Sequence, residues 1–310
     1  MANQRTRSKI CVVGACNIDL VSYVPRMPAV GETLHGTRFQ IGFGGKGANQ
    51  AVMAAKLGAD VTIIAKLGRD VFGEDTLKNF ERFGITTRHV HSTDQAFSGV
   101  APIAVDPQGR NSIIIVTGAN DLLTPTEIEA AGPDIAAADV LVCQLEIPLE
   151  PNLAALRLAR EAGVTTIFNP APARPELPEE VYRYSDVFCP NETETQLLTG
   201  LPVTTLGEAE TAARSLLARG AGAVILTLGE RGSLVVTPDG AQHVPAEAVQ
   251  AVDSTGAGDA YVGSLACFLG LGQGLFEAAR RAGRIATRSV LQPGTQTSFP
   301  SRDEVLELLN

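Results

Sequence analysis

Nowhere near the start of the chain do apolar residues run long enough to cross a membrane. The first run, Ile10 to Val13, is interrupted by Asn17 and Asp19, too short for a signal peptide or a spanning helix. The protein is therefore expected in the cytoplasm, with its basic start, MANQRTRSK, as a mobile tail. Positive charge is also in deficit: 25 Lys and Arg against 34 Asp and Glu leave a formal net charge of -9. That argues against a nucleic-acid partner or an anionic membrane surface and favours small-molecule chemistry. No Cys-x-x-Cys pair occurs among Cys11, Cys16, Cys143, Cys189 and Cys267; the set is odd and most members lie in apolar runs. They read as reduced core residues. Internal repeats and low-complexity linkers are absent too, so 310 residues suggest one large domain with a small appendage, or two domains.

What is present centres on Val252 to Gly263, VDSTGAGDAYVG. Gly256, Ala257 and Gly258 precede Asp259, and apolar residues follow at helical spacing through Leu269, placing Asp259 in the first turn of a helix. Small residues there let an anion reach N–H groups with no intrahelical partner, where the helix dipole adds partial positive charge. An acid in such a place repels phosphate, yet suits a base that deprotonates a hydroxyl attacking phosphate. The competing reading is an Asp that only stabilises the helix end.

Taken in order, Ile10 to Ala15 reads as a buried strand delivering Asn17 and Asp19 beyond its carboxyl end, where ligands bind in open α/β sheets. Gly42 to Gln50, GFGGKGANQ, opens a helix that stops at Gly58. Gly42, Gly44 and Gly47 match the dinucleotide fingerprint, so a nicotinamide oxidoreductase is an alternative, although the nearest ribose-binding acid, Asp60, precedes its strand instead of following it. What remains is a glycine-rich turn offering Lys46 and Asn49 to hydroxyls. Two β-rich runs, Gly99 to Val105 and Asn111 to Val116, flank a turn at Asp106 to Gly109 and predict a hairpin. Val140 to Gln144 is a further buried strand with Glu146 past its end, either a loop acid or a ligand. Asn191 and Glu194 have the spacing of a helix capping box, and alternatively could orient a water-clad Mg²⁺. The β/α alternation predicts an α/β fold, a three-layer α/β/α arrangement on a mainly parallel central sheet. A small β-sheet lid is expected from about 19–41 and 97–117, the whole 1–310 forming a single domain.

GGKGAN, NPAPA, PNETE, TLGERG and STGAGD occur in this order, and from about Lys9 to Pro300 the chain resembles the ribokinase-like sugar kinase family. The resemblance implies ATP-dependent phosphorylation of D-ribose at O5. It implies sugar contacts at Asn17, Asp19, Gly45, Lys46, Gly47, Asn49 and Glu146, a catalytic base at Asp259, and an anion hole at Gly256, Ala257 and Gly258. ATP would meet Asn191, Thr227, Leu228, Gly229, Glu230, Gly232 and Gly258, with Gly283 near the adenine where relatives often carry a side chain. Asn191 and Glu194 would organise Mg²⁺ through water. Asp253, Thr255, Ser289, Gln292, Gly294 and Ser298 match a loop pair that holds a monovalent cation, K⁺, mostly by backbone oxygens. The lid would pair edge strands into a homodimer. Within the family a deoxyribokinase, fructokinase or adenosine kinase is the alternative; outside it, the oxidoreductase or a sugar sensor without turnover.

Overall fold

The computed structural model describes residues 7–309, so the stretch at positions 1–6, which forms most of the basic start, lies outside the described residues. In chain order the strands are β1 (Lys9–Val13), β2 (Asn17–Tyr23), β3 (Arg38–Gly44), β4 (Asp60–Gly68), β5 (Thr86–Thr93), β6 (Gly99–Val105), β7 (Asn111–Ile113), β8 (Val140–Cys143), β9 (Thr165–Phe168), β10 (Val187–Phe188), β11 (Ala223–Thr227), β12 (Ser233–Thr237) and β13 (Gly240–Val244). Nine of them form one sheet in the order β13-β12-β11-β10-β9-β8-β1-β4-β5, parallel except at β12 and β13. The remaining four form a second sheet, β3-β2-β6-β7.

The inner strands of the main sheet are apolar on both faces because both are covered. On one face lie α1 (Lys46–Lys56) and α2 (Val71–Arg82); on the other α3 (Pro125–Ala130), α4 (Gly132–Ala136), α5 (Leu149–Glu161), α6 (Glu179–Arg183), α7 (Glu192–Thr199) and α8 (Leu206–Leu217). The chain then returns to the first face with α9 (Ala257–Gly270) and α10 (Leu275–Ser289), and α11 (Leu306–Leu309) packs on α10. This is the predicted three-layer α/β/α fold with a small second sheet. Two hydrophobic clusters fill it, one holding Met53, Phe80 and Phe268, the other Phe168, Tyr182 and Phe188. All five cysteines are buried and free. No described helix is long and apolar enough to cross a membrane.

Local chemistry sets the boundaries. Thr124, Asn191 and Thr205 each close a reciprocal capping box, with Glu127, Glu194 and Glu208, at the starts of α3, α7 and α8. β7 is shorter than the run read from sequence because Pro102 of β6 has no N–H to give. Ile114 N donates to Pro102 O at 3.0 Å, but no bond returns, and pairing resumes only at the Val100–Val116 bridge. The antiparallel pair β12–β13 was not anticipated, although Pro238-Asp239-Gly240 marks its turn.

Strand order decides where a ligand can sit. From β1 the chain builds outward through β4 and β5; from β8 it builds the opposite way through β9, β10 and β11. The connections leaving β1 and β8 therefore diverge, opening a crevice beyond their carboxyl ends, the switch point of open α/β sheets. Asn17 and Glu146 follow those two ends, and α9 packs across β1, β8 and β9 with Asp259 in its first turn.

Candidate active site

Gly256 caps α9 with φ 79°, and a Cβ there would lie 2.5 Å from Thr295 Cγ2, so both conformation and space select glycine. A Cβ on Gly258 would meet nothing within 4 Å, which leaves open space beside the helix's first N–H groups. Asp259 itself is only 6% exposed. Its Oδ2 accepts from Asn49 Nδ2 and its Oδ1 from Gln50 Nε2, both at 2.9 Å. Each amide is held in turn: Gln296 Nε2 donates to Asn49 Oδ1 at 3.0 Å, Asn79 Nδ2 to Gln296 Oε1 at 2.9 Å, and Gln144 Nε2 to Gln50 Oε1 at 2.7 Å.

Asn17 and Asp19 enter from β2. Their side chains fit because the flanking strands carry glycine: a Cβ on Gly44 would lie 2.3 Å from Asp19 Oδ1, and one on Gly99 2.1 Å from Asn17 Oδ1. Asn120 Nδ2 donates to Asn17 Oδ1 at 2.9 Å, which leaves the Asn17 amide nitrogen to face a ligand. Gly45, at φ 85°, turns β3 into α1 and brings Gly47 against Gly14, where a Cβ would sit 2.6 Å from the Gly14 carbonyl carbon. That turn aims the Lys46 N–H at Glu146 Oε2, 2.8 Å away. Gly42 and Gly44 lie in β3, an antiparallel strand of the small sheet. The dinucleotide fingerprint needs a parallel β-strand entering its helix, so the nicotinamide reading falls.

The candidate nucleotide residues follow β10 and β11. Asn191 and Glu194 spend their polar groups on each other: Asn191 Oδ1 accepts from Glu194 N, and Glu194 Oε2 and Oε1 accept from Asn191 N and Nδ2, at 2.8 to 2.9 Å. The capping reading of this pair is thus realised. Thr227 bridges Asn191, and after Leu228 a short 3-10 turn, Gly229–Arg231, which includes Glu230, ends at Gly232, φ 92°. A Cβ on Gly283 would lie 3.9 Å from Tyr261 Cε2. Asp253 ties two loops, Oδ1 accepting from Thr255 N and Oδ2 from Gly294 N, both at 2.9 Å. Ser289 ends α10, Ser298 Oγ donates to Thr295 O at 2.8 Å, and Gln292 is exposed. Among the described residues no group of three His, Cys, Asp or Glu could hold a metal ion.

Residues 7–302 match the description of the pfkB family carbohydrate kinases. The chain belongs to the pfkB family of carbohydrate kinases. As a member it is 45% identical over 300 residues to a ribokinase of Mus musculus, covering 96% of this chain and 93% of the relative. It is 43% identical over 301 residues to a deoxyribokinase of Salmonella typhi, covering 97% and 98%. The structure of an Arabidopsis thaliana ribokinase complexed with ribose and ATP matches with a TM-score of 0.90 at 30% identity, over 98% of this chain and 99% of that one.

A carbohydrate kinase has to hold a neutral, hydroxyl-rich acceptor beside a polyanion, and the charges here are graded for both. The Lys46 ammonium is pushed up, first by Asp259, with Glu146 and Glu194 adding to it, so it stays cationic among acids. Burial holds the Asp19 carboxyl up at about 6, and Glu146 and Asp259 add to the shift. Glu146 and Glu194 are raised by burial as well, against the pull of Lys46. Gln50, Gln144, Gln296, Asn79 and Asn120 escaped the sequence reading. Gln50 precedes Ala51-Val52-Met53-Ala54, and Gln144 ends Val140-Leu-Val-Cys; an amide inside such a run must be paired when buried, and that was the available signal.

Proposed function

We propose that this carbohydrate kinase transfers the γ-phosphoryl group of ATP to O5 of D-ribose, giving ribose 5-phosphate and ADP. The observation that carries the reading is the meeting of Asp259, Lys46, Glu146 and Asp19 in one crevice: Lys46 feels both Asp259 and Glu146, and Asp19 feels the same two acids. Asn17, Asp19, Gly45, Lys46, Gly47, Asn49 and Glu146 bind the sugar in this reading. Asn17, whose Oδ1 accepts from Asn120, offers its amide N–H to a hydroxyl oxygen, and Asn49, whose Oδ1 accepts from Gln296, offers the amide hydrogen not given to Asp259. A buried donor left without its hydroxyl costs about 1–3 kcal/mol, which favours ribose over 2-deoxyribose at a site where either relative's substrate could enter.

Asp259 accepts the proton of the attacking hydroxyl as that oxygen bonds to phosphorus and ADP leaves. The N–H groups at Gly256, Ala257 and Gly258 meet the developing charge. ATP lies along Asn191 and Thr227 to Gly232, with its base towards Gly283. Mg²⁺, when bound, neutralises the transferred phosphoryl group; Glu194 keeps a lone pair on each oxygen for its waters, so the donor set fits. A K⁺ site fits the Asp253, Thr255, Ser289, Gln292, Gly294 and Ser298 loops, because they supply oxygen donors next to the carbonyl end of α10. We read the chain as one kinase domain, with the small sheet as a lid, working in the cytoplasm, where five free buried thiols suit a reducing milieu. Phe39 and Ile41 of β3 and Ile114 and Val116 beyond β7 leave apolar side chains exposed on one face of the small sheet, where a groove of about 370 Å³ reaches Ile114, and this face supports a homodimer.

Coupled ADP release, measured for ribose, 2-deoxyribose, fructose and adenosine in potassium and in choline buffers, tests the reading. The highest kcat/KM should belong to ribose, with the new phosphate on O5 by NMR and faster turnover in potassium. A preference for 2-deoxyribose would hand the assignment to the deoxyribokinase reading, and equal rates in the two buffers would remove K⁺.

A further inference from the structure

Asp259 is the end point of a line of three buried side-chain amides that all point the same way. Asn79 donates to Gln296, Gln296 to Asn49, and Asn49 to Asp259, at 2.9, 3.0 and 2.9 Å. Asn79 is 4%, Gln296 6% and Asn49 5% exposed, so water cannot substitute for a missing partner. The polarity of the line follows from its charged end. An ionised carboxylate only accepts, so Asn49 has to turn its NH₂ towards Asp259. Its carbonyl oxygen is then left facing away and needs a donor, which Gln296 supplies; Gln296 in turn needs a donor for its own oxygen, which Asn79 supplies. The three amides come from α1, α2 and the loop after α10, elements brought together only by the fold.

We infer that Gln296 and Asn79 are positioning residues that fix which way round the Asn49 amide faces, and thereby hold the base's carboxylate in its working orientation. The inference rests on Asp259 being the base. A reversed Asn49 would set its carbonyl oxygen against the carboxylate, and Asp259 would swing away from the hydroxyl it must deprotonate. Substrate contacts elsewhere in the crevice would remain and only the Asn49 donor to the sugar would be lost, so turnover falls while ATP binding is unchanged.

The test compares two replacements of similar size. Gln296→Glu keeps the shape but can only accept, so it draws the Asn49 NH₂ towards itself; Gln296→Met imposes no direction. The expected result is a kcat for Gln296→Glu about tenfold to 10²-fold below that of Gln296→Met, the scale of a small misplacement of reacting groups. KM for ATP should stay within about threefold of wild type in both, while KM for sugar should rise only in Gln296→Glu, where the reversed Asn49 no longer offers its amide hydrogen to the sugar. In an Asn49→Ala background the difference between Glu and Met should vanish. A role limited to packing predicts losses that follow melting temperature and a difference that survives without Asn49. Either that survival, or a kcat for Gln296→Glu equal to or above that of Gln296→Met, overturns the inference. If Gln296→Glu does not fold, Asn79→Asp against Asn79→Leu imposes the same reversal one residue further out and is judged identically. Asp259→Asn in the same assay separates the two claims: full turnover there would remove the base itself, whatever Gln296 does.

Discussion

The floor of the crevice and the small sheet above it are built on opposite principles. Around Asp259 both carboxylate oxygens are paired with buried amides, and those amides are braced by others on three different elements. The small sheet is held by backbone ladders, and its outer side chains are exposed, Phe39 at 59% and Ile114 at 63%. A buried polar network has few alternative arrangements, because each one strands a polar atom. An apolar face in water has no such constraint and gains by finding a cover. The floor is thus suited to setting a reacting geometry, and the sheet to closing over the sugar and meeting another surface. Changes to the floor should appear in kcat, and changes to the sheet in substrate affinity and assembly.

The largest effect should come from the floor. Asp259→Asn keeps the shape at the start of α9 but cannot take a proton, so kcat should fall by about 10² to 10⁴ while KM changes little. An Asp that served only the helix end would instead cost about 0.3 to 1 kcal/mol of stability and leave kcat near normal, so turnover and melting temperature measured on one purified variant decide between them.

Next in size is Asp19, which sits where floor and sheet meet. Its carboxyl is held up at about 6, against an ordinary 3.8, so the fold favours its protonated form. The stability this contributes is complete below about pH 4 and is lost as pH rises through 6. In the ligand-free protein above that pH, the ionised group costs at most about 3 kcal/mol. Asp19→Asn should therefore raise the melting temperature at pH 8 and bring no gain at pH 4. An equal gain at both values would show that the benefit does not come from ionisation.

The smallest change in protomer stability should follow Ile114→Glu, on the outer face of the sheet, within about 0.5 kcal/mol of wild type. Its effect should be on mass: light scattering at micromolar concentration should find a dimer for the wild type and a monomer for the variant. A wild-type monomer would end the comparison at this point, because the exposed face would then need another cover.

Much of this could be read in the sequence because it is local. The capping boxes, the glycine stops after α1 and α2, and the acid in the first turn of α9 each depend on residues a few positions apart. The buried thiols follow from apolar context. The floor could not be read in that way: Asn49 and Asp259 are 210 residues apart, and Gln296 and Asn49 are 247, so only the tertiary fold reveals that they touch. Asn49 shows the limit most plainly. Its type and place suggest a sugar contact, but that its oxygen accepts from Gln296 and one amide hydrogen goes to Asp259 is visible only in the fold. The edge hairpin β12–β13 was hidden for another reason, because β/α alternation set the expectation of a mainly parallel sheet with helices, not a further hairpin, after the strand at Ala223.

The bracing of Asn49 by Gln296 also bears on how the enzyme comes into being. Synthesis runs from the N-terminus, so Asn49, Gln50 and Gln144 leave the ribosome early and can already pack on the first strands of the sheet. Asp259 follows much later, and Gln296 arrives with the loop after α10, which Lys56 of α1 pins by donating from Nζ to Gln296 O at 3.0 Å. Until that loop docks, only Asp259 acts on the direction of Asn49, and the Asn49 oxygen lacks its Gln296 donor. In the reading proposed above, phosphoryl-transfer competence is thereby tied to synthesis through Gln296.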